Sequence, residues 1–184
     1  SYKGRPVGSM GVIGCFSTYV AHYIVTGVGG FALTNEPRLA LRLRSLINHG
    51  RDPAYFEIDA DKGLSGRSLH EVVAKRFSFV SMGHSFRCTE FEAALGLAQI
   101  EEKNAIIKTR RANARALSEG LRGLEDVLQL PSAPAGSEHM YMLYPLVLRK
   151  EEKSGLVNFL EDGGIETRAL MPLLNQPVYK AHFG

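Results

Sequence analysis

No stretch of this 184-residue chain stays apolar for the ~18 residues that a membrane-crossing helix needs, and the N-terminus shows no signal-peptide layout. Charge of one sign is equally scarce. Twenty-two Lys and Arg stand against nineteen Asp and Glu, and a net charge of +3 gives no reason to expect nucleic acid or an anionic membrane as a partner. Cysteine occurs only at Cys15 and Cys88. Two thiols so far apart predict buried, reduced side chains and a cytoplasmic protein. His49, His70, His139 and His182 lack the spacing of a metal site. There is no internal repeat and no low-complexity segment.

What remains has the texture of a globular α/β protein, with 45% hydrophobic and 22% charged residues. The length suits one domain, or a domain with a small appendage. Residues 11–17 and 30–35 read as short strands, followed by a helix over 36–48 with Asn35 as its N-cap and Gly50 beyond its end. Residues 49–66 read as loop and 67–76 as a short helix. Thr89 to Glu92 forms a capping box that opens the longest helical pattern, 89–122, with Phe91, Ala94, Leu95, Ala98, Ile100 and Ile107 as its apolar stripe. After Gly123 the pattern predicts strands at 127–130 and 140–148, a helix over 150–162 stopped by Gly163 and Gly164, and a strand at 165–168. The expected units are 1–122, closed by a long connecting helix, and a smaller one from 123 to 184. The last residues, 179–184, offer no finishing helix, and the chain opens on Ser1 without an initiator Met, as a piece of a longer protein would.

The segment from Phe16 to Gly30 concentrates reactive side chains. It sets Ser17, Thr18, Tyr19 and His22 between two apolar runs and closes on Gly27-Val28-Gly29-Gly30. An imidazole with an ordinary pKa of about 6.5 is a natural base near neutral pH. From the residues alone, a structural histidine is the favoured reading of His22, and an ordinary glycine hairpin stays open beside it.

Several segments, in order, resemble the DegT/DnrJ/EryC1/StrS family of pyridoxal-phosphate-dependent sugar aminotransferases. They are Gly11 to Ser17, Gly27-Val28-Gly29-Gly30, Leu33-Thr34-Asn35, Asn48-His49-Gly50, the run from Gly83 to Thr89 with its small-residue helix, Gly164 to Arg168, and Gln176-Pro177-Val178-Tyr179. The resemblance implies a partial aspartate-aminotransferase-type fold: the C-terminal part of the large cofactor-binding domain, then an incomplete small domain. It also implies a homodimer with shared active sites. The half of a family member that carries the phosphate loop, the ring-stacking aromatic and the ring-nitrogen Asp would precede this chain. Residue by residue, the resemblance assigns Ser17, Gly29 and Gly30 to the cofactor, Ser85 to its phosphate from the neighbouring subunit, and Arg168 to the substrate.

One departure changes the chemistry. The family's Schiff-base Lys is His22 here, and no Lys lies between Lys3 and Lys62. A branch of the family with this exchange comprises 3-dehydratases of nucleotide-linked 4-keto-6-deoxy sugars that use pyridoxamine 5'-phosphate rather than covalently held pyridoxal 5'-phosphate. In that reading His22 takes a proton from the cofactor's C4′ carbon, and the C3 hydroxyl is expelled. Some dehydratases of this branch also hold an iron–sulfur cluster. Two cysteines cannot supply its usual four thiolates. Further departures are Val28, where Glu is common, and Ser85, where the family has Asn. The alternatives are a conventional sugar aminotransferase, which would need a working Lys elsewhere, and a non-catalytic remnant.

Overall fold

The computed structural model describes residues 1–57, 59–150, 152–170 and 172–183. Of the expected loop 49–66, the expected helix 150–162 and the terminal segment, positions 58, 151 and 184 lie outside the described residues. Contacts divide the chain into two units: Ser1–Lys108 with Ala135–His139, and Thr109–Pro134 with Met140 onward.

The first unit opens on a hairpin. Strand β1 (Gly14–Ser17) pairs antiparallel with β2 (Gly30–Leu33), in a register running from Gly14 opposite Leu33 to Ser17 opposite Gly30. Phe16 and Phe31 face each other in that register and supply β-forming bulk. Backbone crowds β1 from the other side. A Cβ on Gly14 would lie 2.1 Å from the Gly8 carbonyl oxygen, so only glycine fits there. Cys15 on β1 and Cys88 before α3 are both exposed, which corrects the expectation of buried thiols. The two-stranded hairpin leaves the face that carries Cys15 without a covering layer among the described residues.

Helix α1 (Pro37–Ile47) starts with proline in its first turn, where a missing N–H costs nothing. Its N-cap is Glu36 rather than the expected Asn35. The Thr34 hydroxyl accepts the Glu36 amide at 3.1 Å, which carries the extended chain one residue further before the helix begins. At the other end His49 (φ 61°) and Gly50 (φ 78°) both take left-handed backbone, and the Gly50 amide returns to the Ser45 carbonyl at 2.8 Å. Helix α2 (Gly66–Ala74) follows. The chain then runs back along the end of α1, with Val80 N–H donating to Gly50 (2.8 Å), His84 to Leu46 (2.7 Å) and Phe86 to Ile47 (3.0 Å).

The expected helix 89–122 is two helices, α3 (Glu90–Glu101) and α4 (Lys103–Gly120). The Glu102 amide turns to the Ile100 carbonyl instead of reaching back four residues, and the ladder breaks there without a proline or glycine. The capping box at α3 is present, with the Thr89 amide donating to Glu92 Oε2 at 2.5 Å. The predicted apolar stripe is not covered by the rest of the chain: Phe91 is 86% exposed, and the one buried residue of α3 is Gly96.

The second unit holds the remainder of α4, a short antiparallel pair β3 (Leu128–Gln129) and β4 (Val147–Leu148), and helix α5 (Lys153–Asp162). α5 ends in the glycine-dependent way its sequence predicts. Gly164 (φ 75°) donates to Glu161 at 2.9 Å, and Ile165 donates to Leu160 at 2.8 Å, the paired bonds of a Schellman motif. Residues 165–168 have no ladder partner and are not a strand. Glu161 Oε1 instead accepts both the amide and the hydroxyl of Thr167, each at 2.6 Å. Helix α6 (Pro177–Phe183) follows, where no finishing helix was expected; Pro177 again opens the helix. No helix among the described residues is long and apolar enough to cross a membrane.

Candidate active site

The loop between β1 and β2 carries His22. Its base is closed by backbone bonds: Thr18 N–H to the Gly29 carbonyl (3.0 Å) and Thr26 N–H to the Thr18 carbonyl (2.9 Å), with Tyr19 bridged to Gly27. Between these walls lies a buried hydroxyl pair, Thr18 Oγ1 to Thr26 Oγ1 at 2.7 Å. Thr26 also donates to the Val28 carbonyl at 3.0 Å. A hydroxyl has one proton, so when Thr26 gives its proton to the Val28 carbonyl, Thr18 donates within the pair.

His22 is half-buried at the middle of the loop. The chain turns sharply before it, with His22 N–H donating to the Tyr19 carbonyl at 2.9 Å. The ring then folds back so that Nδ1 lies 3.2 Å from the same carbonyl. A carbonyl cannot donate, so this bond requires the proton on Nδ1. The neutral ring therefore keeps its lone pair on Nε2. The Tyr19 ring stands edge-on to the imidazole, 6.5 Å between centroids.

Ser17 is exposed at the end of β1, and its Oγ accepts the Tyr19 amide at 3.3 Å, leaving its proton for an outside acceptor. Gly29 and Gly30 are required by the chain's own packing. Gly29 has φ 141°, and a Cβ there would lie 3.0 Å from Thr18 Oγ1 and 3.2 Å from Thr26 Oγ1. A Cβ on Gly30 would come within 2.5 Å of the Phe16 carbonyl oxygen. Ser17, His22, Gly29 and Gly30 thus share one hairpin.

Ser85 lies elsewhere in the first unit, bridged to Asn48 at the end of α1. Arg87 spans both: Nη1 donates to Asn48 Oδ1 at 2.7 Å and Nη2 to Ser85 Oγ at 3.2 Å. Asn48 is buried, whereas Ser85 and Arg87 are exposed. The guanidinium turns the Ser85 hydroxyl into a donor beside a fixed positive charge, the chemistry of an oxyanion site. Arg168 belongs to the second unit, exposed, paired with Glu166 and donating to the Thr167 carbonyl at 2.8 Å. Sequence reasoning missed the Thr18–Thr26 pair and the contacts of Arg87 with Asn48 and Ser85. The visible signals were two threonines flanking the loop and an arginine two residues beyond Ser85. Among the described residues no group of three His, Cys, Asp or Glu is placed to hold a metal ion.

Comparison with known proteins gives a consistent picture. The model of the DegT/DnrJ/EryC1/StrS aminotransferase family matches residues 1–184. The chain is 34% identical over 179 residues to the dTDP-4-dehydro-2,6-dideoxy-D-glucose 3-dehydratase of Saccharopolyspora spinosa, covering 92% of this chain and 38% of that protein. It is 32% identical over 192 residues to the lipopolysaccharide biosynthesis protein RfbH of Salmonella typhimurium, covering 97% of this chain and 43% of that one. Among solved structures, the E. coli GDP-4-keto-6-deoxy-D-mannose-3-dehydratase with bound hydrated PLP superposes with a TM-score of 0.79 at 24% identity, over 98% of this chain and 46% of that one. That likeness shows a shared fold, the pyridoxal-phosphate-dependent aminotransferase type, of which this chain holds part. It spans less than half the length of each of these proteins.

Proposed function

Because the chain belongs to the DegT/DnrJ/EryC1/StrS aminotransferase family over residues 1–184, we propose that it is part of a pyridoxamine-phosphate-dependent 3-dehydratase acting on a nucleotide-linked 4-keto-6-deoxy sugar. One observation carries the choice of reaction. His22, which the resemblance sets at the family's Schiff-base Lys position, has Nδ1 occupied by the Tyr19 carbonyl and its lone pair on Nε2.

The donor set fits the cofactor. Ser17 and Ser85 offer hydroxyl protons, and Arg87 adds charge next to Ser85, as a phosphate group requires. His22 fits a cofactor held without a covalent bond to the chain. When bound, pyridoxamine phosphate supplies an amine that reacts with the C4 ketone and a ring that takes up an electron pair. The chain's own part is proton handling. Nε2 of His22 takes the proton from the carbon beside that ring. The imidazolium so formed gives a proton to the departing C3 hydroxyl, which leaves as water. The Tyr19 carbonyl stabilises that charged state, because its bond to Nδ1–H persists in both forms. Ser85 and Arg87 would serve the phosphate of the partner subunit's cofactor in a homodimer, and Arg168 the substrate.

The experiment is spectroscopic. Full-length protein incubated with pyridoxal phosphate and borohydride forms no covalent adduct, whereas His22→Lys forms one on residue 22, located by peptide mass. An adduct on the unaltered protein would show a working Lys elsewhere and favour a conventional aminotransferase.

A further inference from the structure

The buried hydroxyl pair at the base of the His22 loop is not used in the proton transfers above, yet it is built with unusual economy. Thr18 and Thr26 are 4% and 5% exposed, and their oxygens are 2.7 Å apart. With the Thr26 proton on the Val28 carbonyl at 3.0 Å, Thr18 donates within the pair; the Thr18 carbonyl lies 3.5 Å from the same Thr26 hydroxyl. Gly29 closes over the pair so tightly that a Cβ would reach both oxygens, at 3.0 and 3.2 Å. On its other side, the Thr26 methyl lies against α3, where a Cβ on Gly96 would be 3.2 Å away. Gly96 is the residue that α3 buries. One side chain therefore ties the two ends of the loop together through its hydroxyl and seats them on a helix through its methyl.

We propose that Thr18 and Thr26 are positioning residues that hold the His22 imidazole in one place and one tautomer. The proposal rests on His22 being the base. Residues 19–25 form a short loop with His22 at its centre, and its two ends meet at the threonine pair. If the hydroxyl bond is lost, the unpaired Thr18 oxygen stays buried and must find water or a new partner, so the loop base opens. The turn that brings the Tyr19 carbonyl to Nδ1 then has no fixed starting point. Valine in place of Thr26 keeps the shape and the methyl contact with Gly96 while removing the oxygen. Serine keeps the oxygen and removes the methyl.

The test uses full-length protein with isotope-labelled histidine, the His22 signals being assigned from His22→Gln. In the unaltered protein, nitrogen shifts should report the Nδ1–H tautomer. Thr26→Val should move them toward the averaged values of an imidazole that exchanges between its two tautomers. Where dehydration of a 4-keto-6-deoxy sugar nucleotide is measurable, kcat should fall about tenfold with KM unchanged, and Thr26→Ser should recover most of that loss. Thr18→Val should give the same signature, and the double variant should be no worse than either single one. Should Thr26→Val fold poorly, Thr18→Val carries the comparison. His22 signals and kcat both unchanged in the valine variants would overturn the clamp. Shifted His22 signals in a protein that dehydrates nothing would support the clamp while removing the proposed reaction.

Discussion

His22 has its Nδ1 3.2 Å from the Tyr19 carbonyl, which leaves Nε2 as the basic atom of the ring. A lysine in its place would reach further and carry a nucleophilic amine, so under the proposed reaction His22→Lys exchanges a proton-moving group for a bond-forming one. His22→Gln keeps an amide donor for the Tyr19 carbonyl but has no basic atom. It is expected to leave thermal stability unchanged and to lower kcat by about 10²–10⁴-fold, the usual contribution of a positioned base. Steady-state kinetics beside a melting curve checks this. The residue's identity and its place in a loop between two strands were legible in the sequence. The tautomer was not, because it depends on where the chain turns at Tyr19. The Thr18–Thr26 pair was hidden for a similar reason. A hydroxyl contact across eight positions exists only once Tyr19 is paired with Gly27.

At the scale of elements, glycine decides the geometry of the site. A Cβ on Gly30 would lie 2.5 Å from the Phe16 carbonyl oxygen, and one on Gly50 would lie 1.8 Å from the Ser81 carbonyl oxygen in addition to needing φ 78°. Gly50→Ala is expected to cost at least the roughly 1–3 kcal/mol of a strained backbone and to loosen the segment that carries Ser85. Urea unfolding of the full-length protein measures it. Helix α3 makes a pH prediction. The Thr89 amide and hydroxyl hold the Glu92 carboxylate below its usual range. A depressed folded pKa means that the capping box contributes fully above the ordinary Glu value of about 4.3 and is lost as pH falls through the lower folded value. Protection of the Ala93 amide against exchange, corrected for intrinsic rate, should fall over that interval and not in Glu92→Gln. The N-cap of α1 lies one residue beyond the Asn35 that the sequence suggested, whereas Thr89 opening α3 and Gly164 ending α5 follow from local chemistry and were readable. The break at Glu102 and the unpaired run 165–168 were not. Glu102 lies in a run of good helix formers, and Ile165 to Arg168 has a strand-like pattern with no partner strand to meet.

The whole molecule is set by what it leaves uncovered. It exposes 14491 Å² of surface, where a monomer of 20.2 kDa that buries its own core would expose about 8,700 Å². Leu128 and Ala114 are the only buried hydrophobic residues among those described, while Phe77, Met82 and Phe91 are more than four-fifths exposed. Such a surface needs further protein to cover it. The expected buried cysteines failed on the same ground, since burial inferred from composition assumes that the layers are all present. Residues 1–184 expressed alone should bind a hydrophobic dye strongly and melt without a cooperative transition. The full-length protein should do neither, and calorimetry with dye titration on the two forms checks it.

An imidazole in the proposed lysine position would direct this fold to remove an oxygen from C3 of the sugar. The most direct measurement is the carbon NMR spectrum and mass of the sugar product after full-length protein is incubated with pyridoxamine phosphate and a nucleotide-linked 4-keto-6-deoxy sugar. The expected product has a methylene at C3 and one oxygen fewer, and His22→Gln should yield none of it. A product that keeps its C3 hydroxyl and carries an amine at C4 would contradict the proposed dehydration.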